Sequence, residues 1–146
     1  MDDNASIARK FYESWNARDF AYGEKHTAPE CEIVIVGSGD TLRGPEGARQ
    51  FATMWADAFP DGKTTVDRLI AAGDEVVVEY TGRGTQTGPF TTPAGSIPPT
   101  GRSVTLNLCD VMVIRDGLLR SQHTYVDTAS LLMQLGVMPA PEPAKQ

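Results

Sequence analysis

The hydrophobic period of the chain changes at Pro60-Asp61-Gly62. Before this triplet most apolar residues recur at helical spacing, and after it they recur mainly every second residue. Ile7, Ala8, Phe11 and Trp15 form one face of a helix that Asn4 or Ser6 can cap. Asn16-Ala17-Arg18-Asp19 interrupts the pattern, and a short second helix carrying Phe20 and Tyr22 runs on until Pro29. Ile33-Val34-Ile35-Val36 reads as a buried strand ended by Gly37-Ser38-Gly39-Asp40. Gly44-Pro45-Glu46 then opens a helix with the apolar stripe Ala48, Phe51, Trp55 and Phe59. Past the triplet, Val66, Arg68 and Ile70 alternate with Asp67, Leu69 and Ala71. Ala72-Gly73-Asp74 is a turn, and Val76, Val78 and Tyr80 begin the returning strand. Residues 88–101, rich in proline and glycine, read as a loop. Val104 to Ile114 and Leu118 to Val126 are strands joined at Arg115-Asp116-Gly117. Asp127 can cap a last helix, Thr128 to Leu135, that Gly136 closes. Helices first and antiparallel strands last imply an α+β fold, with helices on one face of a curved sheet and a pocket between the layers.

Length and charge narrow the function classes. The 146 residues suit one domain, expected over 1–138, with a disordered or extended tail at 139–146 marked by Pro139, Pro141 and Pro143. A net charge of −6 disfavours a nucleic-acid partner, because a phosphate-tracking surface needs excess Lys and Arg. Cys31 and Cys109 are too few for a disulfide framework or a closed zinc site, and with only His26 and His123 no metal is expected. No apolar run approaches the roughly 20 residues of a membrane span. The acidic start Met1-Asp2-Asp3-Asn4 lacks the pattern of a secretion signal, so the expected location is cytoplasmic.

The most informative segment is Leu106 to Ile114. Side chains alternate along a strand, so Leu106, Leu108, Asp110, Met112 and Ile114 share one face. A carboxylate among four large apolar residues should have a raised pKa and be able to do acid/base work near neutral pH. Its cross-strand neighbour depends on the turn. A two-residue Asp116-Gly117 loop pairs Arg115 with Leu118 and puts His123 opposite Asp110. A three-residue loop pairs Ile114 with Leu118, putting Gln122 opposite Asp110 and Thr124 opposite Leu108. Local turn chemistry permits both. Trp15 and Trp55 read as core residues that can reach a pocket rim. Tyr12, beside the Ile7/Phe11/Trp15 stripe, reads as outer, and Tyr80 and Tyr125 read as sheet packing. Gly37-Ser38-Gly39 has no following lysine at phosphate-loop spacing, and Asp40 is explained by turn chemistry.

Several strings carry a family resemblance: Gly44-Pro45-Glu46-Gly47, Arg83-Gly84-Thr85, Pro98-Pro99-Thr100-Gly101-Arg102, Asp116-Gly117-Leu118, and Asp127 followed by Leu131-Leu132-Met133-Gln134-Leu135-Gly136. In their order they resemble the SnoaL-like polyketide cyclase (ester cyclase) family of the cone-shaped nuclear-transport-factor-two-like fold, over most of residues 5–138. The resemblance implies ring closure in a polyketide methyl ester by an intramolecular aldol reaction. It implies no metal or cofactor, and one acid/base carboxylate helped by a histidine. The family's acid/base aspartate falls at Thr124 here and its helper histidine at Asp110. The histidine that many relatives carry after Arg-Gly-Thr is Gln86. In the related ketosteroid isomerases the oxyanion-hole aspartic acid aligns with Asp110, the oxyanion tyrosine with Phe11, and the base near Ile35. Both relatives put Asp110, Gln122, Thr124 and Val126 in the pocket, which favours the three-residue turn and points His123 away.

The expectation is therefore a homodimer, paired through its sheet, that binds an apolar, carbonyl-bearing small molecule. Asp110 would be the acid/base, with Gln122 and Thr124 orienting the substrate oxygen. Phe11, Trp15, Trp55, Leu108, Met112 and Val126 would line the site, Arg83 and Arg102 read as ordinary surface residues that can reach its rim, and loop 88–101 would be a lid. Two further readings are a non-catalytic ligand-binding or protein-interaction domain, and an epoxide hydrolase or pyran-forming cyclase with Asp40 as its second carboxylate.

Overall fold

A computed structural model describes residues 3–139 and 141–142; most of the proposed tail, 140 and 143–146, lies outside the described residues. Helix α1 (Asn4–Asn16) is followed by α2 (Phe20–Lys25), strands β1 (Thr27–Val36) and β2 (Thr41–Arg43), and α3 (Gly44–Ala58). Strands β3 (Lys63–Ala72), β4 (Glu75–Thr85), β5 (Phe90–Thr92), β6 (Gly95–Ile97), β7 (Ser103–Arg115) and β8 (Leu118–Val126) come next, and α4 (Thr128–Gln134) ends the order. Six strands form one sheet in the order β2-β1-β8-β7-β4-β3. It is antiparallel except where β1 runs parallel to β8. Among the described residues no helix is long and apolar enough to cross a membrane.

The helix boundaries follow local chemistry. The cap of α1 is Asp3, whose carboxylate accepts from the Ser6 amide, rather than Asn4 or Ser6. Asn4 instead donates to the carbonyls of Gly73 and Ile114, tying the helix to two strand ends. Pro45 sits in the first turn of α3, and Asp127 caps α4 through the Ser130 amide. The strand containing Ile33–Val36 starts earlier than its apolar run, at Thr27. Its first half holds Pro29 in an irregular stretch between Thr27 and Glu32, where a missing N–H is tolerated. Residues 88–101 are not all loop, since β5 and β6 pair as a hairpin.

Two bulges decide which residues face the helices. In β3 the partner register shifts between Val66 and Arg68, so Asp67 is the extra residue. Strict alternation would put Val66 and Ile70 together. With the bulge, Val66 and Leu69 pack against the core, while Ile70 is 49% exposed. In β8 the register shifts between Val113 and Ile114, leaving Arg120 as the extra residue. Its guanidinium bonds back to the Arg115 carbonyl and to Glu30.

The buried core splits in two. One cluster joins Ile7, Ala8 and Tyr12 of α1 to Ile33, Val78, Tyr80, Met112 and Ile114 of the sheet. The other joins Met54 and Phe59 to Phe90, Val104, Leu106, Leu131 and Leu135. Phe51 and Leu108 touch both, and a cavity lies where the two meet.

Candidate active site

The cavity has a volume of about 150 Å³. Its walls are mainly aromatic and aliphatic, with Phe11, Trp15, Phe51, Trp55, Leu108 and Met112 among them. The Trp15 indole donates to the Ala52 carbonyl at 3.0 Å, which fixes its ring between α1 and α3. Trp55 lies against Phe90 with ring centroids 4.9 Å apart. Asp110 lies in this wall and is 2% exposed.

The turn before β8 has two residues, with Asp116 at φ 55° and Gly117 at φ 74°, and it pairs Arg115 with Leu118. That overturns the three-residue turn. It does not put His123 opposite Asp110 either, because the Arg120 bulge advances β8 by one residue. Thr124 faces Asp110, Gln122 faces Met112, and His123 pairs with Val111 on the outer side, exposed. A bulge slips register by one residue and so exchanges the faces of everything beyond it.

Two tyrosines complete the site. Tyr12 donates to one oxygen of Asp110 at 2.7 Å, and Tyr80 donates to the other at 3.1 Å. Thr124 also hydrogen-bonds with the carboxyl group. The Gln122 amide donates to the Thr124 hydroxyl oxygen at 2.9 Å, so the threonine's own hydrogen is left for Asp110. Burial pushes Asp110 from 3.8 up to about 6, against the opposing pull of Tyr12, Thr124 and Tyr80. Burial and the nearby carboxylate raise both tyrosines well above 10, so they stay protonated as donors. The result is a carboxyl group that titrates at about 6, within reach of acid/base work near neutral pH.

Tyr12 is buried, not outer. It stands four residues after Ala8, one turn along the same buried helix face, and this spacing was the available signal. Tyr80 continues the inward set Val76 and Val78. The resemblance to ketosteroid isomerases implies a tyrosine at Phe11; here the hydroxyl bonded to Asp110 belongs to the neighbouring Tyr12, and Phe11 lines the apolar wall.

Other expected residues divide. Gln122 lines the cavity, whereas Thr124, fully buried, stands behind it. Val126 does not line it and packs on the second core cluster. Arg83 belongs to the cavity's lining and Arg102 does not. Asp40 is also absent from the lining, while exposed Asp19 is part of it. No residue of 88–101 lines the cavity: the hairpin supports the Trp55/Phe59 wall from behind through Phe90, so it is a buttress and not a lid over the opening. Among the described residues no three His, Cys, Asp or Glu are grouped to hold a metal ion.

Gln86 stands at the root of the hairpin. Its side chain is fully buried, donates to the carbonyls of Ile97 and Pro98, and accepts from the amide and hydroxyl of Thr100. Gln86→Ala should cost about 1–3 kcal/mol by leaving these groups unpaired. It should also raise hydrogen exchange at the Thr100 amide, which amide-exchange NMR would show. Tyr12→Phe should act on the titration instead. Losing a donor that favours the carboxylate moves the Asp110 midpoint above about 6, readable by carboxyl carbon NMR.

The sequence profile of the SnoaL-like polyketide cyclases matches residues 5–135. The chain belongs to that family. Several proteins of known structure superpose on the chain. TsrD from Streptomyces laurentii is 29% identical, with a TM-score of 0.78 over 94% of this chain and 100% of that one. IdmH from Streptomyces antibioticus, a proposed polyketide cyclase, is 27% identical, with a TM-score of 0.74 over 92% and 100%. A protein with a ketosteroid isomerase-like fold from Catenulispora acidiphila, 18% identical with a TM-score of 0.74 over 94% and 97%, shares the fold. No curated protein matches the sequence.

Proposed function

We propose that this SnoaL-like chain is a cofactor-free acid/base enzyme acting on an apolar, carbonyl-bearing, polyketide-like small molecule, in a cyclisation or isomerisation. The supporting observation is the buried carboxylate of Asp110, held by Tyr12 and Tyr80 in the wall of a mainly apolar cavity.

An ionised carboxylate has about four lone-pair sites. Tyr12, Tyr80 and Thr124 use three, leaving one to take a proton. Asp110 removes the proton beside the substrate carbonyl, and the electron pair moves to the oxygen as an enolate. Once protonated, Asp110 attracts the phenols less, and a Tyr12 or Tyr80 hydroxyl can turn to the enolate oxygen. In an isomerisation Asp110 returns its proton to another carbon. In an aldol closure the enolate carbon bonds to a second carbonyl carbon, and Asp110 protonates the resulting alkoxide. Thr124, where the resemblance sets the family's acid/base aspartate, lies directly opposite Asp110 on the neighbouring strand. Gln122 and Thr124 then act by orienting the acid.

The test is hydrogen–deuterium exchange of the α-protons of 1-indanone in D2O, followed by NMR from pH 5 to 8. A base must be ionised, so exchange should rise through about pH 6 and level off above it. Absence of enzyme-dependent exchange would overturn the catalytic reading. It would favour the non-catalytic binding domain, which the triple hydrogen bonding of Asp110 also fits.

The partner proposed for the outer sheet face is a second copy of the chain. Val34, Val77, Val111, Val113 and Tyr125 lie on the side away from the buried strand residues, and Tyr125 is 47% exposed. Sedimentation equilibrium should give twice 15.8 kDa, and Tyr125→Glu should shift it toward the monomer.

A further inference from the structure

Along β4 the inward positions are Val76, Val78, Tyr80, Gly82 and Gly84, so side-chain bulk stops just past the tyrosine that holds Asp110. The two glycines differ. A Cβ on Gly84 would lie 3.0 Å from Phe59 Cβ and 3.1 Å from the Gly62 backbone, so close packing requires that glycine. A Cβ on Gly82 would meet only Leu108 Cδ1, at an ordinary 3.6 Å, and the Gly82 backbone is not in the left-handed region. Neither packing nor backbone geometry explains this glycine. Yet it lies in an interior strand, between β7 and β3, where glycine weakens a sheet. Gly82 lines the cavity, together with Tyr80, Leu108 and Asp110.

We infer that Gly82 is a specificity-determining residue whose bare backbone forms the bed for the flat body of the substrate. This rests on the proposed site and adds the size and shape of the ligand. A cavity of about 150 Å³ matches an apolar protein cavity known to hold one benzene ring. The part of the ligand that the cavity encloses is therefore a compact planar ketone unit, with one ring lying across Gly82 and its carbonyl directed toward Asp110 and Tyr80. Leu108 on the neighbouring strand borders the same space, so any side chain at 82 would project into it.

The test is titration of 1-indanone, and of the smaller cyclopentanone, into the intact chain by amide NMR. Gly82→Ala and Gly82→Val are compared with the parent, and each variant's Tm is measured. The parent should bind 1-indanone with shifts at Gly82 and Tyr80. Gly82→Ala should weaken 1-indanone at least threefold while leaving cyclopentanone within twofold. Gly82→Val should weaken 1-indanone at least tenfold, with a Tm at or above the parent's. If Gly82→Val fails to fold, Gly82→Ala decides. Absence of 1-indanone shifts at Gly82, or undiminished affinity in Gly82→Ala and in folded Gly82→Val, overturns the proposal. Asp110→Asn separates the two readings. If that variant keeps wild-type α-exchange while Gly82→Ala discriminates between the ketones, only the acid/base reading falls.

Discussion

Asp110→Asn should reduce α-proton exchange of 1-indanone by roughly 10²–10⁴, the span ordinarily lost with a general base, while leaving ketone binding nearly intact. Asparagine keeps the shape of the side chain and cannot accept a proton at neutral pH. Tyr12 and Tyr80 stay in place, since both rings are buried and packed together at 4.8 Å. No other ionisable carboxylate shares the buried part of the cavity: Asp19, the second carboxylate in its lining, is exposed. Exchange in Asp110→Asn within threefold of the parent would remove Asp110 from the chemistry. A loss of binding as large as the loss of exchange would make Asp110 a binding group. In the parent, Tyr12→Phe should carry the inflection of the exchange profile upward, in step with the Asp110 midpoint, because one hydrogen bond favouring the ionised form is gone.

The same residue should make the fold less stable as pH rises from about 4 to about 6. The folded pKa of Asp110, about 6, lies above the ordinary 3.8 of an unfolded chain. Between these values the folded state holds a proton that the unfolded state has released, so stability falls with pH. Below 3.8 both states are protonated and the contribution is fully present; above about 6 it is lost and the effect levels off. At about 1.4 kcal/mol per pH unit, the displacement corresponds to about 3 kcal/mol. Urea unfolding of the parent and Asp110→Asn at pH 4, 5, 6 and 7.5 isolates this term, because the other groups are common to both. The swap of an acceptor for an amide gives a roughly constant offset. The difference between the two proteins should therefore move by about 2.5 kcal/mol in favour of Asp110→Asn between pH 4 and 7.5. A difference that stays flat across the range would mean that Asp110 is not buried as described.

That cost bears on function. The destabilisation persists at neutral pH, where a protein selected only for stability would carry an apolar residue at position 110. Three hydrogen bonds reduce the cost without removing it. They hold the group ionised and oriented, which suits a proton acceptor.

The order of elements, the first-turn proline Pro45, the cap at Asp127, and the inward face of β7 were legible in the chain because each depends on neighbours a few residues away. Asp110 was legible for the same reason: period two alone puts it among leucine, methionine and isoleucine. The inward place of Tyr12 was available from its spacing to Ala8, but its partner was not, since Tyr12 and Asp110 lie 98 residues apart. The partner across β8 was beyond local reasoning altogether. The turn is the two-residue type that Asp116-Gly117 allows, yet the Arg120 bulge then moves Thr124 rather than His123 to Asp110. Arg120 sits in the bulge with its charge on Glu30, 90 residues away, and with the Arg115 carbonyl. The sequence by itself therefore determined the α+β class, the starts of α3 and α4 and the buried acid, all products of short-range period and capping. Tertiary structure alone decided the strand register, the tyrosine pair and the cavity. Those depend on where chain segments far apart in sequence come to rest, and one extra residue in a strand reverses every side chain beyond it.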